Sequence, residues 1–525
     1  MYTNHQSQQQ HVCIPSDEPL DHREVALHFS WFLDKPTLLA CLRVSRSWFA
    51  ALEPCLWHSF TLLRDHPSPS SPHQLSQVTQ QRQQDRTAFH PRRYPTLGSL
   101  QRNARHIARL RYFGELPLLK ALVPHLNQLR HLEVTRYTDE VKQLLQQNTA
   151  TLHTLILRGD PLIPGDTIMI DRIWHHLLDS TALRVLELNG AIVSDYEGIK
   201  FGLVCHKLRS LSLIDSKFLE RPKSEDGFLN LRTLVLERTF LPKEDQPPLF
   251  ELCPALENFT WRSRSGKLST FKFLIFLNAG QGETLSGLDL SGSQITDSDF
   301  ASIIRLLPGL TRLRACNSLF GPEATRAITE MRQHQIQELV LLQCPEFTQT
   351  YAQEVLRTCS RLRVFSAPAV NAVDMSQLRW SCTGLEELDI SIAGTRRLPG
   401  PVTPRHQGIY SQLAVLTNLR VLRLGEVTDM EEGPFLLDLR VHSGLGLLST
   451  LGRLEVFDCE KLKPVMEFFD LQWVVRNWGG LKRLVGSVHP NYEQRDLSNE
   501  FLTSQLPALK TYLTHAECIL ALAGK

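Results

Sequence analysis

The feature that most constrains this chain is a short leucine motif that recurs from about residue 100 to the end of the sequence. The motif is Leu-x-x-Leu-x-Leu, and successive copies from Leu208 to Leu385 begin 23 to 29 residues apart. The last two leucines are two positions apart, so they share one face of a short strand. A unit of this length leaves room for a helix that returns the chain to the next strand. One unit cannot bury its own leucines, whereas stacked units bury a continuous core.

Sixteen copies of the motif can be aligned, eight of them clear and eight weaker. The clear copies begin at Leu152, Leu183, Leu208, Leu231, Leu285, Ile336, Leu385 and Leu419. The weaker copies begin at Ile107, Leu129, Leu256, Leu310, Leu362, Leu454, Leu481 and Leu509. The helical half of the unit is clearest after Gln294, where Thr296 or Asp297 can cap a helix. Its Phe300, Ile304 and Leu307 have helical spacing. The pattern predicts an α/β solenoid rather than a non-repetitive domain rich in leucine.

The repeated unit resembles that of the leucine-rich-repeat superfamily, and in particular the cysteine-containing subclass found in many F-box proteins. Four copies place a cysteine three residues before the first leucine, and "IQELVLLQC" places Cys344 where such repeats usually have asparagine or cysteine after the strand. The four cysteines are Cys205, Cys253, Cys359 and Cys382. Most other copies lack asparagine or cysteine at the position of Cys344. The resemblance implies a curved, horseshoe-shaped solenoid over residues 100–525, with an incomplete ladder of these residues.

Three further regions precede the repeats. Residues 1–18 are rich in glutamine and histidine and are expected to be disordered. Residues 19–63 are compact and apolar, and residues 64–99 are rich in proline, serine and glutamine, which predicts a linker or long loop. In the 19–63 module, a helix that ends before Pro54 is apolar over an arc of roughly 160°, wider than the roughly 100° stripe of a surface helix. Such a helix must be covered on more than one side, by the solenoid or by a partner.

The 19–63 module resembles an F-box domain. The segment "CLRVSRSW", residues 41–48, followed by "LW" at 56–57, matches the core of that pattern, although "PLDHRE" replaces the usual Leu-Pro start. The resemblance implies docking to the Skp-type adaptor of a cullin-RING (SCF-type) ubiquitin ligase, with the solenoid capturing a protein substrate. The positions that it assigns to the adaptor contact are Leu20, Val25, Phe29, Leu33, Leu38 and Leu42.

The side chains between the strand leucines are expected to line the concave surface of the solenoid. Their charges are mixed, which favours a protein ligand with complementary charges over nucleic acid, since nucleic acid requires sustained Lys/Arg with stacking aromatics. The candidate substrate-binding residues are Arg262, Asp289, Arg312, Arg314, Glu387, Asp389 and Arg423, with Glu338 and Asp458 on the same surface. For any one of these residues, the alternative is a merely solvated position.

Composition narrows the class of protein. Lys and Arg number 57 against 55 Asp and Glu, so net charge gives no reason to expect a nucleic-acid or anionic-membrane partner. The start of the chain lacks the apolar region of a signal peptide, and no apolar run approaches the roughly 18 residues of a membrane span. The 11 cysteines lack zinc-ligand spacing, which is typical of reduced thiols in the cytoplasm or nucleus.

Motifs of common enzyme classes are missing from the sequence, so we expect a protein without catalysis, cofactor or metal. The leading interpretation is a substrate-recognition subunit of a ubiquitin ligase. Two alternatives stay open: a leucine-rich-repeat scaffold with a degenerate F-box that does not enter a ligase, and a cysteine-dependent hydrolase.

Overall fold

The computed structural model describes residues 52, 55, 57–62, 97–113, 116–159, 168–169, 173–193, 200–218, 227–241, 249, 251–262, 270–395, 406–426, 437–462, 464–489 and 491–512. The six residues assigned to the adaptor contact, Leu20 to Leu42, lie outside these ranges. So do residues 396–405 of the long spacer at 393–408, between the motif copies that begin at Leu385 and Leu419. The chain divides into two compact units. The first comprises residues 1–168 and 175–184, and the second comprises residues 169–174 and 185–525.

The first unit contains four strands that pair in parallel and in chain order. They are β1 (Ser59–Leu62), β2 (Arg109–Tyr112), β3 (His131–Val134) and β4 (Thr154–Arg158). Between them lie α1 (Leu97–Asn103), α2 (Leu116–Leu122) and α3 (Asp139–Gln147), with 3-10 turns at Ala104–His106 and Val123–His125. The alternation of strands and helices follows the repeat: each leucine-bearing strand is followed by a segment that leads to the next parallel strand.

The second unit repeats this arrangement over many more strands, and two short strands, β7 and β9, pair separately. The strands from Ile168 onward are β5 (Ile168–Met169), β6 (Val185–Asn189), β7 (Ala191–Val193), β8 (Ser210–Ile214), β9 (Lys217–Phe218), β10 (Thr233–Glu237), β11 (Asn258–Arg262), β12 (Gly287–Asp289), β13 (Arg312–Arg314), β14 (Glu338–Val340), β15 (Val364–Asn371), β16 (Glu387–Ala393), β17 (Val421–Glu426), β18 (Val456–Asp458), β19 (Arg483–Val485) and β20 (Lys510–Tyr512). Strands β6, β8 and β10 to β20 pair in parallel, in that order.

After α3, the helices of ten residues or more all lie from Asp297 onward. They are α4 (Trp174–Asp179), α5 (Lys200–Lys207), α6 (Thr270–Phe276), α7 (Asp297–Leu306), α8 (Pro322–Met331), α9 (Gln349–Thr358), α10 (Ala372–Gln377), α11 (Gln407–Ala414), α12 (Phe468–Asn477) and α13 (Tyr492–Gln505). A π-helical turn spans Leu277–Gln281, and 3-10 turns span Val441–Ser443 and Leu445–Thr450. Consecutive helices such as α7, α8 and α9 pack side by side.

The motif leucines form the core in both units, as the sequence predicts. The first residue of each of the sixteen copies is at most 6% exposed, the value at Leu509. On β8, for example, Leu211 and Leu213 are fully buried, while the three residues that alternate with them are half-buried. Burying such a leucine stabilises the fold by about 2 kcal/mol. Parallel strands with buried motif leucines and intervening helices form a leucine-rich-repeat solenoid. The prediction of an α/β solenoid is confirmed, and the F-box-like helical module stays a prediction.

The predicted helix after Gln294 is α7, and Thr296 is its N-cap, because its hydroxyl accepts from the Asp299 amide at 3.2 Å. Phe300 is fully buried, as predicted. Asp297 has a different role: its carboxylate accepts from the amides of Gly321, at 2.8 Å, and of two residues in the first turn of α8. One repeat therefore caps the helix of the next, where a negative charge also complements the helix dipole.

The position of Cys344, three residues after the last motif residue, makes the same kind of contact in more copies than cysteine and asparagine alone suggest. Cys344 is 2% exposed and donates to the Ala315 carbonyl at 2.8 Å. Hydroxyls occupy the same position in other copies: Thr239 donates to the Leu213 carbonyl at 2.6 Å. Buried Ser216 and Ser318 also bond backbone carbonyls. The expected gaps are partly filled, because a hydroxyl can satisfy the same buried backbone group.

Two predicted ranges include residues that the structure assigns to a strand or a helix. The range assigned to the helical module extends to residue 63, yet Ser59–Leu62 is the first strand of the repeat sheet and pairs with β2 in the register Ser59↔Arg109. Its copy of the motif has Trp57 and Phe60 where leucines are usual, so a search for leucine does not find it. The centroids of these two rings lie 6.4 Å apart. The predicted linker extends to residue 99, but α1 begins at Leu97.

Candidate functional site

The open face of the sheet consists of the side chains that alternate with the buried motif residues along each strand. Equivalent positions of neighbouring strands lie side by side, about 4.8 Å apart. The charged side chains on this face are arranged differently in the two units.

In the second unit, five charged residues form a continuous charge ladder: Asp215, Glu237, Arg238, Arg262 and Asp289. Arg238 binds Asp215 through two hydrogen bonds, at 2.6 and 2.8 Å, and also pairs with Glu237. Arg262 lies 3.7 Å from Glu237 and donates from Nε to Asp289 at 3.0 Å. Hydrogen bonding to Arg238 lowers the pKa of Asp215. The three carboxylates and two guanidinium groups of the ladder thus pair with one another and leave a net charge of −1.

The predicted basic pair at Arg312 and Arg314 is also tied to neighbouring strands. Arg312 donates to the side-chain oxygen of Asn258 at 2.6 Å, and Arg314 pairs with Glu338. The guanidinium of Arg314 is 49% exposed, so the pair stays accessible to a partner.

Of the other predicted residues, Asp389 lies beside Arg423 in the strand register, and Arg423 lies beside Asp458. Glu387 faces Val421 in the same pair of strands. The structure thus places the candidate substrate-binding residues on one sheet face with alternating signs. Their contact with a substrate stays a prediction.

In the first unit, the open face contains a cleft of about 500 Å³ whose lining is strongly basic. We call it the basic cleft. Its lining residues are His58, Ser59, Ala108, Arg109, Arg111, Arg130, His131, His153 and Thr154. Three guanidinium groups and three imidazoles thus line one depression, and none of the lining residues that the structure describes is a carboxylate.

Strand register explains why these side chains meet. Ser59, Arg109, His131 and Thr154 occupy one row across β1 to β4. In the row before it, the amide of Arg130 donates to the Ala108 carbonyl at 2.8 Å. The amide of His153 donates to the Arg130 carbonyl at 2.9 Å. Cations separated by more than 20 residues in sequence thereby become lateral neighbours.

Glu133, an acidic residue on the strand that carries His131, is already engaged by arginines. Glu133, 5% exposed, is bound by Arg111 at 3.0 Å and by Arg158 at 2.9 Å. Within the described part of the chain, no carboxylate pairs with Arg109 or Arg130. The positive charge of the cleft is therefore largely uncompensated.

The imidazoles respond to this environment. Burial, followed by the charges of Arg109 and Arg130, lowers the pKa of His58. Burial also lowers the pKa of His131, which Arg111 and Arg109 lower further and Glu133 partly raises. The Nε2 atom of His131 is buried without a hydrogen-bond partner in the described structure. His153 donates from Nδ1 to the Thr151 carbonyl at 2.6 Å, so its Nε2 carries a proton only when the ring is charged.

Sequence reasoning did not single out the residues of the basic cleft. Its arginines lie in weak copies of the motif, "IARLRY" and "LRHLEV", and β1 was not identified as a strand. The available signal was the sign of the charge at the variable motif positions. Arginine and histidine predominate at these positions in the two weak copies, where Glu133 is the one carboxylate, and the signs are mixed in later copies.

The cysteines have a structural role. Cys205, Cys253, Cys359, Cys382 and Cys459 are fully buried. Burial raises the pKa of the Cys359 thiol to about 11 and that of Cys382 to about 12. A nucleophilic cysteine needs a lowered pKa, so these thiols are poor nucleophiles at neutral pH.

Among the residues that the structure describes, there is no cluster of three or more His, Cys, Asp or Glu side chains that could hold a metal ion. The described helices also include none with the length and apolar character of a membrane span.

No protein-family model and no curated protein matches this sequence. Solved structures that resemble it are leucine-rich-repeat proteins. An internalin from Listeria monocytogenes is 15% identical over 64% of this chain and 81% of its own, with a TM-score of 0.31. A leucine-rich-repeat protein of Leptospira interrogans is 17% identical over 80% of this chain and 98% of its own, with a TM-score of 0.33. TLR13, solved in complex with ssRNA13, is 14% identical over 78% of this chain and 66% of its own, with a TM-score of 0.34. At these scores the neighbours add nothing to the fold assignment, which rests on the strand register and the buried leucines.

Proposed function

We propose that this protein is a non-catalytic interaction protein that captures a protein substrate on the open face of its solenoid. One observation supports this role above all: the second unit presents side chains of alternating charge across many adjacent strands. Exposed groups such as Arg262 and Arg314, 41% and 49% exposed, can exchange their internal partners for those of a bound protein. Such electrostatic complementarity gives specificity more than raw affinity.

We further propose that the protein is the substrate-recognition subunit of a cullin-RING ubiquitin ligase. The support is the F-box-like segment "CLRVSRSW" and the adjoining repeats. The module would dock a Skp-type adaptor, and the solenoid would hold the substrate near the ubiquitin-loaded enzyme, so that it contributes proximity rather than chemistry. The eight described cysteines are unpaired, which fits the reducing cytoplasm or nucleus.

A pulldown of a Skp-type adaptor by the full chain tests the ligase role. The wild-type chain is expected to retain the adaptor, and Leu38→Asp and Leu42→Asp are each expected to abolish retention, because a carboxylate would be buried in an apolar contact. Leu203→Asp is the matched control, since Leu203 is 51% exposed on α5 and lies outside the F-box-like module. Each variant is compared with wild type by circular dichroism, so that lost folding is not read as lost binding.

Failure of the wild-type chain to retain the adaptor would favour the scaffold with a degenerate F-box. The hydrolase alternative is separated by thiol reactivity. A cysteine that reacts with iodoacetamide faster than the same residue in the unfolded chain would support it, whereas uniformly slow labelling is expected for buried thiols.

A further inference from the structure

We propose that the basic cleft of the first unit is a binding site for a phosphate monoester, carried by a small molecule or by a side chain of a protein partner. The site is distinct from the adaptor contact and from the charge ladder. Its existence does not depend on assembly into a ligase.

The charge balance of the cleft calls for an anion. Arg109 and Arg130 have no carboxylate partner in the described structure, and Glu133 is shared between Arg111 and Arg158. Cations held together in a depression repel one another, and removal from water strengthens that repulsion. A bound dianion would relieve it.

Phosphate fits these donors better than a carboxylate does. A phosphate monoester carries a charge between −1.5 and −2 at neutral pH and three acceptor oxygens, against a charge of −1 and two oxygens for a carboxylate. Guanidinium groups bind phosphate in bidentate fashion. Arg109 is the first residue of β2, Arg130 immediately precedes β3, and both line the cleft. A cleft of about 500 Å³ has room for the phosphate and for part of the molecule that bears it.

The histidines make such binding dependent on pH. His58 and His131 face Arg109, Arg111 and Arg130, which disfavour their charged forms. A phosphate among them would favour the charged forms, and Glu133 acts in the same direction on His131. Binding of a dianion is therefore coupled to proton uptake by these rings. Protonation of the ligand, whose second pKa is about 6, acts in the opposite direction because it lowers the ligand's negative charge.

The primary test is isothermal titration calorimetry on the full chain at low ionic strength. The probes are inorganic phosphate, a short neutral peptide with one phosphoserine, the same peptide with glutamate in its place, and a short oligouridylate. Inorganic phosphate and the phosphopeptide are expected to bind one to one, and the glutamate peptide at least about ten-fold more weakly. Equal affinity for the first two probes assigns the site to small phosphorylated molecules. Tighter binding of the phosphopeptide assigns it to a protein partner.

Substitutions locate the binding to the cleft. Arg109→Gln with Arg130→Gln is expected to weaken phosphate binding by about ten-fold or more, since two charge-assisted contacts are lost. Arg357→Gln is the matched control, an exposed arginine on α9 of the second unit and outside both proposed sites, and should change the affinity less than about two-fold. Glu133→Gln removes the neighbouring negative charge and should tighten binding, an effect that damaged folding would not produce.

Three results would overturn the proposal. They are equal affinity for the glutamate peptide, tighter binding of oligouridylate than of either phosphate probe, and unchanged affinity in the double arginine variant. Adaptor retention is measured on the same preparations. The ligase role and the phosphate site can therefore fail independently.

Discussion

The open faces of the two units are built from the same repeat but differ in their charges. Opposite charges are paired in the second unit, whereas cations lie together in the first. In the second unit, Arg238 and Arg262 each bridge to acidic residues of neighbouring strands, and Arg314 does the same. In the first unit, Arg109 and Arg130 lie beside imidazoles and other arginines. The backbone, strand register and buried leucines are alike. The difference shows that charge on this fold is set by the variable motif positions, independently of the core.

The largest expected effect concerns what the two units share. Leu132→Ala on β3 and Leu313→Ala on β13 each truncate a fully buried leucine. Each should reduce the local free energy of unfolding by about 3 kcal/mol, through lost burial and a residual cavity. Hydrogen exchange of the β3 and β13 amides, followed by mass spectrometry, measures each loss. A loss below about 1 kcal/mol at one site would show that its core is not close-packed.

A smaller loss is expected from removing one acidic group in each unit. Glu133 and Asp289 have side chains that are 6% and 10% exposed, and both accept from arginines. Glu133→Gln and Asp289→Asn should each cost about 2 kcal/mol by the same measurement, because the arginines keep their charge and lose their partner. Adding phosphate should separate the two variants further. It should restore part of the lost free energy of unfolding in Glu133→Gln and none of it in Asp289→Asn.

The pH dependence of stability should also differ between the units. Burial and nearby arginines depress the folded-state pKa of His131 and His58, so protonation favours the unfolded chain. The contribution of the two neutral imidazoles to the free energy of unfolding is fully present above the unfolded-state pKa of about 6.5. It is lost as the pH falls through the lower folded-state pKa. Exchange of the β3 amides should accelerate over this range, after correction for intrinsic rates. His131→Gln should reduce that acceleration, while β13 stays unaffected.

The smallest expected effect lies in the charge ladder. Arg238→Gln removes the partner of Asp215, but both side chains are nearly half-exposed, at 46% and 45%. The loss should be about 0.5 kcal/mol. Arg238 lowers the folded-state pKa of Asp215, so this contribution is present above the unfolded pKa and disappears as the pH falls through the folded one. Stability of β10 measured at neutral pH and at pH 3 checks the sign. An equal loss at both would contradict it.

The sequence alone determined the repeat architecture of this protein. Leucines with a period of two mark the strands, and their recurrence requires stacking, because one unit cannot bury them. Thr296, Phe300 and Cys344 could be assigned for the same reason: their roles depend on local spacing. The strand at Ser59–Leu62 could not, since aromatic residues replace the leucines and a long segment separates it from β2.

Only the tertiary structure decided which charges are paired. Arg238 meets Asp215 across 23 residues, and Arg262 meets Asp289 across 27. These separations depend on the length of each turn and helix, which the motif does not fix. The convergence of Arg109, Arg130 and His131 depends in the same way on the register of β1 to β4. Buried positions can be predicted from the period of the leucines along the chain. The partners of a charged side chain depend instead on how neighbouring strands are aligned.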